Sequence, residues 1–264
     1  MLSAHVKRNL IDEPRCKVEP RPDRVQAAIL AGGMGTRLRS LVADRPKPMA
    51  KVGEKPFLEL QLECLKKHGV RRFVFCVGYM WEQIHQYFGD GRKWGVEIEY
   101  SVERELLGTA GALKQALPHT DGTFLALNGD SYLDVDVQKL VQFHEQRQGF
   151  DRGAVGTIVL TEAEDARQFG SVRMDTADRI VSFVEKSESA ATSKLISAGI
   201  YVFQPEILQW IPAGKKLSLE RDLFPALLKA GFGLFGYPAE GFFVDIGTPQ
   251  GYRRLQEYVE EARG

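Results

Sequence analysis

The segment Val25–Ala31 (VQAAILA) is short, continuous and apolar, and Gly32-Gly33-Met34-Gly35-Thr36-Arg37 follows it without a break. An apolar run of this length suits a strand buried on both faces of a parallel sheet. Such a strand needs helices above and below it. Three glycines within four positions let the backbone come close to a ligand and turn several N–H groups one way, a concavity that binds anions.

The chain then alternates. Helices are expected over Phe57–His68, with Gly69 as the stop, and over Met80–Phe88, Thr109–Leu117 and Val137–Gln148. Strands are expected at Arg72–Val77, Val96–Ser101 and Thr123–Leu127. This order implies right-handed βαβ crossovers and a mainly parallel sheet. After residue 150 the rhythm changes. Ala154–Leu160, Ser171–Met174, Ile180–Val184 and Ser197–Phe203 read as strands joined by short turns. A helix over Leu219–Ala230 has Ser218 as its N-cap. Phe232–Tyr237 and Gly241–Val244 are expected as short strands. The last helix has Thr248 as N-cap and Pro249 at its first position, where a missing N–H costs nothing.

Residues 1–23 carry mixed charge, three prolines and no periodicity, and read as a tail or docking arm. Residues 24–264 are expected to form one domain, with a nucleotide-type α/β half over 24–150 and a mixed half over 151–264 that extends the same sheet. Lys plus Arg and Asp plus Glu both number 35. A net charge of zero offers no field for a nucleic acid or a membrane surface, so an anionic ligand must be held by a local cluster. Cys16, Cys64 and Cys76 are too few for a disulfide framework, and no CxxC or Cys/His metal spacing is read in the chain. No apolar run reaches the length of a membrane span, and the N-terminus lacks a signal-peptide core. A cytoplasmic protein is the expectation.

Two familiar phosphate motifs fail on spacing. A dinucleotide fingerprint beginning at Gly33 needs glycine where Leu38 stands, and the Gly214-Lys215 pair is followed by Lys216 rather than Ser or Thr. Pro46-Lys47-Pro48-Met49 follows the glycine loop instead. The flanking prolines stiffen the segment that presents Lys47, and a fixed amine beside a phosphate loop suits phosphoryl chemistry.

GGMGTRLRSLVADRPKPM resembles the signature of the sugar-phosphate nucleotidylyltransferases, also called nucleoside-diphosphate-sugar pyrophosphorylases. Further landmarks of that family recur in order: LGTAGAL (Leu107–Leu113), NGD (Asn128–Asp130), FVEK (Phe183–Lys186), SAGIYVF (Ser197–Phe203) and FVDIGTP (Phe243–Pro249). The resemblance implies a three-layer α/β/α, Rossmann-like nucleotidyltransferase with a mostly parallel mixed sheet, without the C-terminal β-helix domain of some members. It implies Arg37 and Lys47 as catalytic residues and Asp130 and Asp245 as ligands of Mg²⁺. Leu30, Gly32, Gly33, Gly35, Thr36, Glu103, Gly108 and Thr109 are then nucleotide-binding. Asn128, Gly170, Glu185, Lys186 and Gly199 are then sugar-phosphate-binding. Glu103 stands where the family reads the base, and a carboxylate there accepts from guanine N1–H and the 2-amino group.

The stretch DRPKPMAKVGEKPFLE is most similar to the D-glycero-α-D-manno-heptose 1-phosphate guanylyltransferases. The implied substrates are GTP and a heptose 1-phosphate, and the product serves capsule or S-layer polysaccharide synthesis. The alternative within the class is a hexose 1-phosphate enzyme: mannose with GTP, or glucose or N-acetylmuramate with UTP or dTTP. A non-catalytic nucleotide-sugar sensor is the alternative outside it, but the chain retains Arg37, Lys47, Asp130 and Asp245. At the family level a homodimer is expected.

Overall fold

A computed structural model describes residues 25–38, 42, 44–120, 122–163, 171–184 and 193–262. The tail expected over residues 1–23 lies outside them. A nine-stranded sheet runs through both halves of the chain. At its centre β1 (Gln26–Ala31) lies parallel to β4 (Arg72–Val77) on one side and to β6 (Phe124–Asn128) on the other, and β5 (Glu97–Val102) lies parallel to β4. These four strands put their carboxyl ends on one edge, where ligands of open α/β sheets collect.

The second half adds antiparallel pairing. Strand β11 (Leu195–Phe203) runs against β6 and, on its other edge, against β8 (Ala154–Glu162). A register shift interrupts β11 between Ser197 and Tyr201. Gly199 sits in that bulge at φ +70°, a conformation that a side chain resists. Strand β9 (Ser171–Met174) pairs antiparallel with β11 at Ile196, β10 (Ile180–Val184) pairs with β9, and β12 (Gly233–Pro238) lies parallel to β8.

Alternate residues of the sheet feed two separate cores, as the pleat requires. Ala27, Ile29, Phe73, Phe75 and Leu125 face α1 (Phe57–Lys67), α2 (Trp81–Phe88) and α4 (Val137–Phe150). Ala28, Val74, Cys76, Phe124 and Ala126 face α3 (Gly108–Ala116) and α5 (Phe224–Lys229). The result is the expected three-layer arrangement. A third, smaller cluster packs α6 (Pro249–Glu261) through Leu255 onto Val52, Phe57, Val244 and Ile246.

Local signals in the sequence act as read. Thr248 accepts from Gly251 N–H and Ser218 from Arg221 N–H, each capping a helix start. Asp136 caps α4 by accepting from Lys139 N–H. Three features differ from expectation. The helix expected over Leu219–Ala230 opens with a π-helical turn at Leu219–Leu223 before α5. The strand expected at Gly241–Val244 is instead β13 (Val244–Asp245), paired with an unforeseen β7 (Ser131–Tyr132). An unforeseen hairpin also joins β2 (Lys51–Val52) to β3 (Lys55–Pro56) just before α1.

Candidate functional site

At the carboxyl ends of β1 and β6 lies a cavity of about 290 Å³. Its walls include nine residues expected from the sequence: Leu30, Gly32, Gly33, Lys47, Glu103, Gly108, Thr109, Asn128 and Asp130. Ala31, Pro48, Leu106, Ala112, Gly129 and Lys216 complete the lining. The first five of these adjoin motif residues in the chain or on α3. Lys216 comes from a distant loop, and no spacing in the sequence ties it to the cavity.

Glu103 closes one end. It is buried, and its Oε2 accepts from Leu107 N–H at 2.9 Å. Burial pushes its carboxyl up, partly opposed by that hydrogen bond. A Cβ placed on Gly32 would lie 2.3 Å from Glu103 Oε1, so the glycine is needed for the carboxylate to sit there. Gly108 opens α3 at φ +70°, and a Cβ there would fall 2.5 Å from the Leu217 carbonyl oxygen. The loop before α5 thus rests directly on the α3 start. Ala110 N–H donates to Leu217 O, Leu217 N–H to Leu107 O, and Leu219 N–H to Thr109 Oγ1 at 2.8 Å.

Lys47 and Asp130 form an ion pair at the other end, with Lys47 Nζ donating to Asp130 Oδ2. Lys47 opens a short 3₁₀ turn, although Pro48 after it disfavours helical geometry there, and the N-cap Pro46 is extended with its φ set by its own ring. Gly35 adopts φ +59° where a Cβ would approach Lys47 Cβ to 2.8 Å, so this glycine makes room for the lysine to cross.

Asp245 does not line the cavity but is tied to Asp130 through the backbone. Ile246 N–H donates to Asp130 O, and β13 pairs Asp245 with Ser131. Asp245 Oδ1 accepts from Gly247 N–H at 2.5 Å. Burial, then the charge of Asp130, push the Asp245 carboxyl up, while Lys47 and Arg37 oppose the rise. Arg37 Nη2 reaches within 3.1 Å of the point where a Gly247 Cβ would stand. Two half-buried carboxylates brought together by backbone pairing are a donor set that fits a hard divalent cation.

Asn128 borders the same cavity, and its side-chain oxygen is buried with no hydrogen-bond partner among the described residues. A Cβ on Gly199 would lie 2.7 Å from Asn128 Nδ2, which places the β11 bulge beside this amide. Gln61 of α1, also buried, donates to the carbonyls of Asn128 and Ser131 at 2.9 and 2.8 Å. Gln61 was not anticipated; a buried amide on an apolar helix face is the one signal that marks it. Thr36 opens a 3₁₀ turn and does not line the cavity. Gly170, Glu185 and Lys186 lie outside the described residues.

Residues 26–262 match the family model described as nucleotidyl transferase. The chain belongs to that family. It is 37% identical over 230 residues to D-glycero-alpha-D-manno-heptose 1-phosphate guanylyltransferase of Campylobacter jejuni, covering 86% of this chain and 97% of that relative. It is 36% identical over 255 residues to UTP--glucose-1-phosphate uridylyltransferase of Synechocystis, of which it spans 63%. Among solved structures, HddC from Yersinia pseudotuberculosis complexed with GMP-PN shares a TM-score of 0.76 at 30% identity, over 89% of this chain and 99% of that one. The nucleotidyl transferase fold accounts for the mixed sheet and for a cavity at the strand ends.

Proposed function

We propose that the chain transfers a guanylyl group from GTP to D-glycero-α-D-manno-heptose 1-phosphate, forming a nucleoside-diphosphate heptose and pyrophosphate for cell-surface polysaccharide synthesis. The observation that carries this reading is the cavity itself. It joins a glycine-lined backbone wall, a buried carboxylate at one end and an amine–carboxylate pair at the other. Similarity to the Campylobacter guanylyltransferase over nearly its whole length supports the choice of substrates.

In this reading the nucleoside enters with its base at Glu103 and its phosphates along Gly32–Gly35. The Glu103 carboxylate accepts from the two adjacent donors on the guanine edge, and Gly108 lets backbone approach the same ring. The phosphate oxygen of the sugar 1-phosphate attacks the α-phosphorus in line, and pyrophosphate leaves. Lys47 and Arg37 stabilise the charge that develops on the phosphates. Asp130 and Asp245 would hold Mg²⁺, which supplies neutralisation of the phosphate oxygens when bound. Asn128 offers its unpartnered oxygen to a sugar hydroxyl beside the Gly199 bulge. The motif resemblance assigns Glu185, Lys186 and Gly170 to the sugar phosphate. No side chain is needed as a nucleophile.

The test is pyrophosphate release measured with GTP, ATP, UTP and dTTP, each against heptose, mannose, glucose and N-acetylmuramate 1-phosphates. Turnover with GTP and the heptose phosphate is expected. Release with UTP alone rejects the guanylyl assignment, and tight nucleotide-sugar binding with Mg²⁺ but no turnover points to a sensor. Lys47→Ala is expected to abolish turnover in a folded protein; near-normal turnover would remove Lys47 from the mechanism.

A further inference from the structure

Away from the nucleotide cavity, three donors of different kinds meet where α1 faces the segment after β7. Cys64 on α1 and His68, the residue that caps its C-terminus, lie one helical turn apart and so share a face. Asp134 reaches them from the loop between β7 and α4. The Cys64 thiol donates to Asp134 Oδ1 at 3.5 Å, and His68 Nε2 lies 2.9 Å from that same oxygen. The three donor atoms all lie within 4.8 Å of one another. Zinc–sulfur bonds of about 2.3 Å and zinc–nitrogen or –oxygen bonds of about 2.0–2.1 Å, at tetrahedral angles, place ligand atoms about 3.3–3.6 Å apart. The cluster is therefore within about an ångström of a coordinating arrangement without moving the backbone. Two donors crowd one carboxylate oxygen while Lys67 Nζ holds the other at 3.0 Å.

We propose that Cys64, His68 and Asp134 form a binding site for a soft divalent transition-metal ion, zinc by preference, with solvent filling the remaining position. A thiolate, an imidazole and one carboxylate favour zinc over magnesium, whereas the all-oxygen pair Asp130 and Asp245 favours the reverse. The Cys64 side chain is half-buried and Asp134 is exposed on one side, so an ion has an entry path and room for a water. On binding, the Cys64 S–H bond breaks, a sulfur–metal bond forms and the proton passes to solvent; the ion stays divalent. Burial and the Asp134 charge push the Cys64 thiol up to about 12, so the site keeps that proton until a metal displaces it. Asp134 follows Asp130 in the same segment, and Gln61, on the same helix as Cys64, already grips that segment's carbonyls. A bound ion ties α1 to it a second time.

Cobalt(II) is the probe. The reduced, metal-stripped full chain is titrated in excess Mg²⁺, which keeps the paired aspartates occupied. One equivalent is expected to give a thiolate-to-cobalt charge-transfer band and the intense visible bands of a four-coordinate ion, both erased by added zinc. Cys64→Ser is expected to remove the charge-transfer band. His68→Gln and Asp134→Asn are expected to weaken zinc at least about tenfold, and Cys16→Ser to change nothing. Circular dichroism melts establish that each variant is folded. A folded wild-type chain without the band, or a Cys64→Ser chain that keeps it, overturns the proposal and leaves a hydrogen-bonded cluster only.

Discussion

The tightest joint in the cavity is between Gly32 and Glu103, and it sets a measurable coupling. In Gly32→Ala the new Cβ would stand 2.3 Å from Glu103 Oε1 and 3.2 Å from Cδ. An ordinary carbon–oxygen contact is about 3.3–3.6 Å, so the carboxylate must retreat by about 1 Å. It has little freedom to do so, because the residue is buried and its other oxygen is 2.9 Å from Leu107 N. A retreat of that size takes the hydrogen bond past its useful range. Losing a hydrogen bond to a charged group costs about 1.5–3 kcal/mol. We expect Gly32→Ala to destabilise the chain by about 2 kcal/mol, which for a domain of this size lowers Tm by about 4–8 °C.

Glu103→Ala alone strands the Leu107 N–H and costs about 1–3 kcal/mol. In that background the clash is gone, so adding Gly32→Ala should cost under about 0.5 kcal/mol. The double-mutant cycle then carries a coupling of about 1.5–2 kcal/mol, read from urea titrations with unchanged m-values. Because Leu107 leads into Gly108 at the α3 start, Gly32→Ala should also raise KM for the nucleotide more than it lowers kcat. Additive stabilities would refute the reasoning and move the demand for glycine to another neighbour, such as Gly78, whose amide nitrogen would be 3.4 Å away.

Three further outcomes follow from the structure. His144 is buried, faces Thr157 Oγ1 through Nδ1 and accepts from Gln204 Nε2 at 2.9 Å, and burial lowers its pKa to about 4. The unfolded chain binds that proton first, so stability present above pH about 6.5 should fall by roughly 3 kcal/mol as pH drops to about 4, and urea titrations across that window should flatten in His144→Asn. Gly199→Ala puts a side chain at φ +70° against Asn128; it should cost about 1–2 kcal/mol and raise KM for the sugar phosphate, and an unchanged KM in steady-state assays would separate Asn128 from the sugar. Burial and the charge of Asp130 disfavour ionised Asp245, so Asp245→Asn should raise Tm of the metal-free chain at neutral pH while cutting turnover on the order of a hundredfold or more, measured by melts and pyrophosphate release.

Elements whose signal is local were legible in the sequence. Arg72–Val77, Ser171–Met174 and Ile180–Val184 are strands with the expected bounds, because apolar runs between turn residues define them. Thr248 and Ser218 cap helices because their hydroxyls act within three residues. The ribbon of β7 and β13 was not legible, since two-residue strands carry no periodicity and their partner lies far along the chain. The bulge at Gly199 was visible only as a glycine; its positive φ comes from β11 serving β6, β8 and β9 at once. Cys64 and His68 fall on the helix expected over Phe57–His68, but two donors four residues apart carry no metal signal alone, and Asp134 joins them only through tertiary packing. Lys216 reaches the cavity because Leu217 pairs with the α3 start, a contact that no motif announces.

The ribbon also explains why two acidic residues from opposite halves of the chain can share a site in a protein of zero net charge. Pairing of Asp245 with Ser131, and of Ile246 N–H with Asp130 O, fixes the backbone of both carboxylates without any ion. Gln61 pins the same turn from the helix side, and α6 begins directly after it under the Thr248 cap. The scaffold therefore brings like charges together in advance, and burial, followed by their repulsion, raises the Asp245 carboxyl. Lys47 offsets part of that repulsion by pairing with Asp130. Under the proposed function, a cation and a polyphosphate arriving together would free the amine from the aspartate and give it an anion to meet, so the ion pair would hold a positive charge ready for the phosphates.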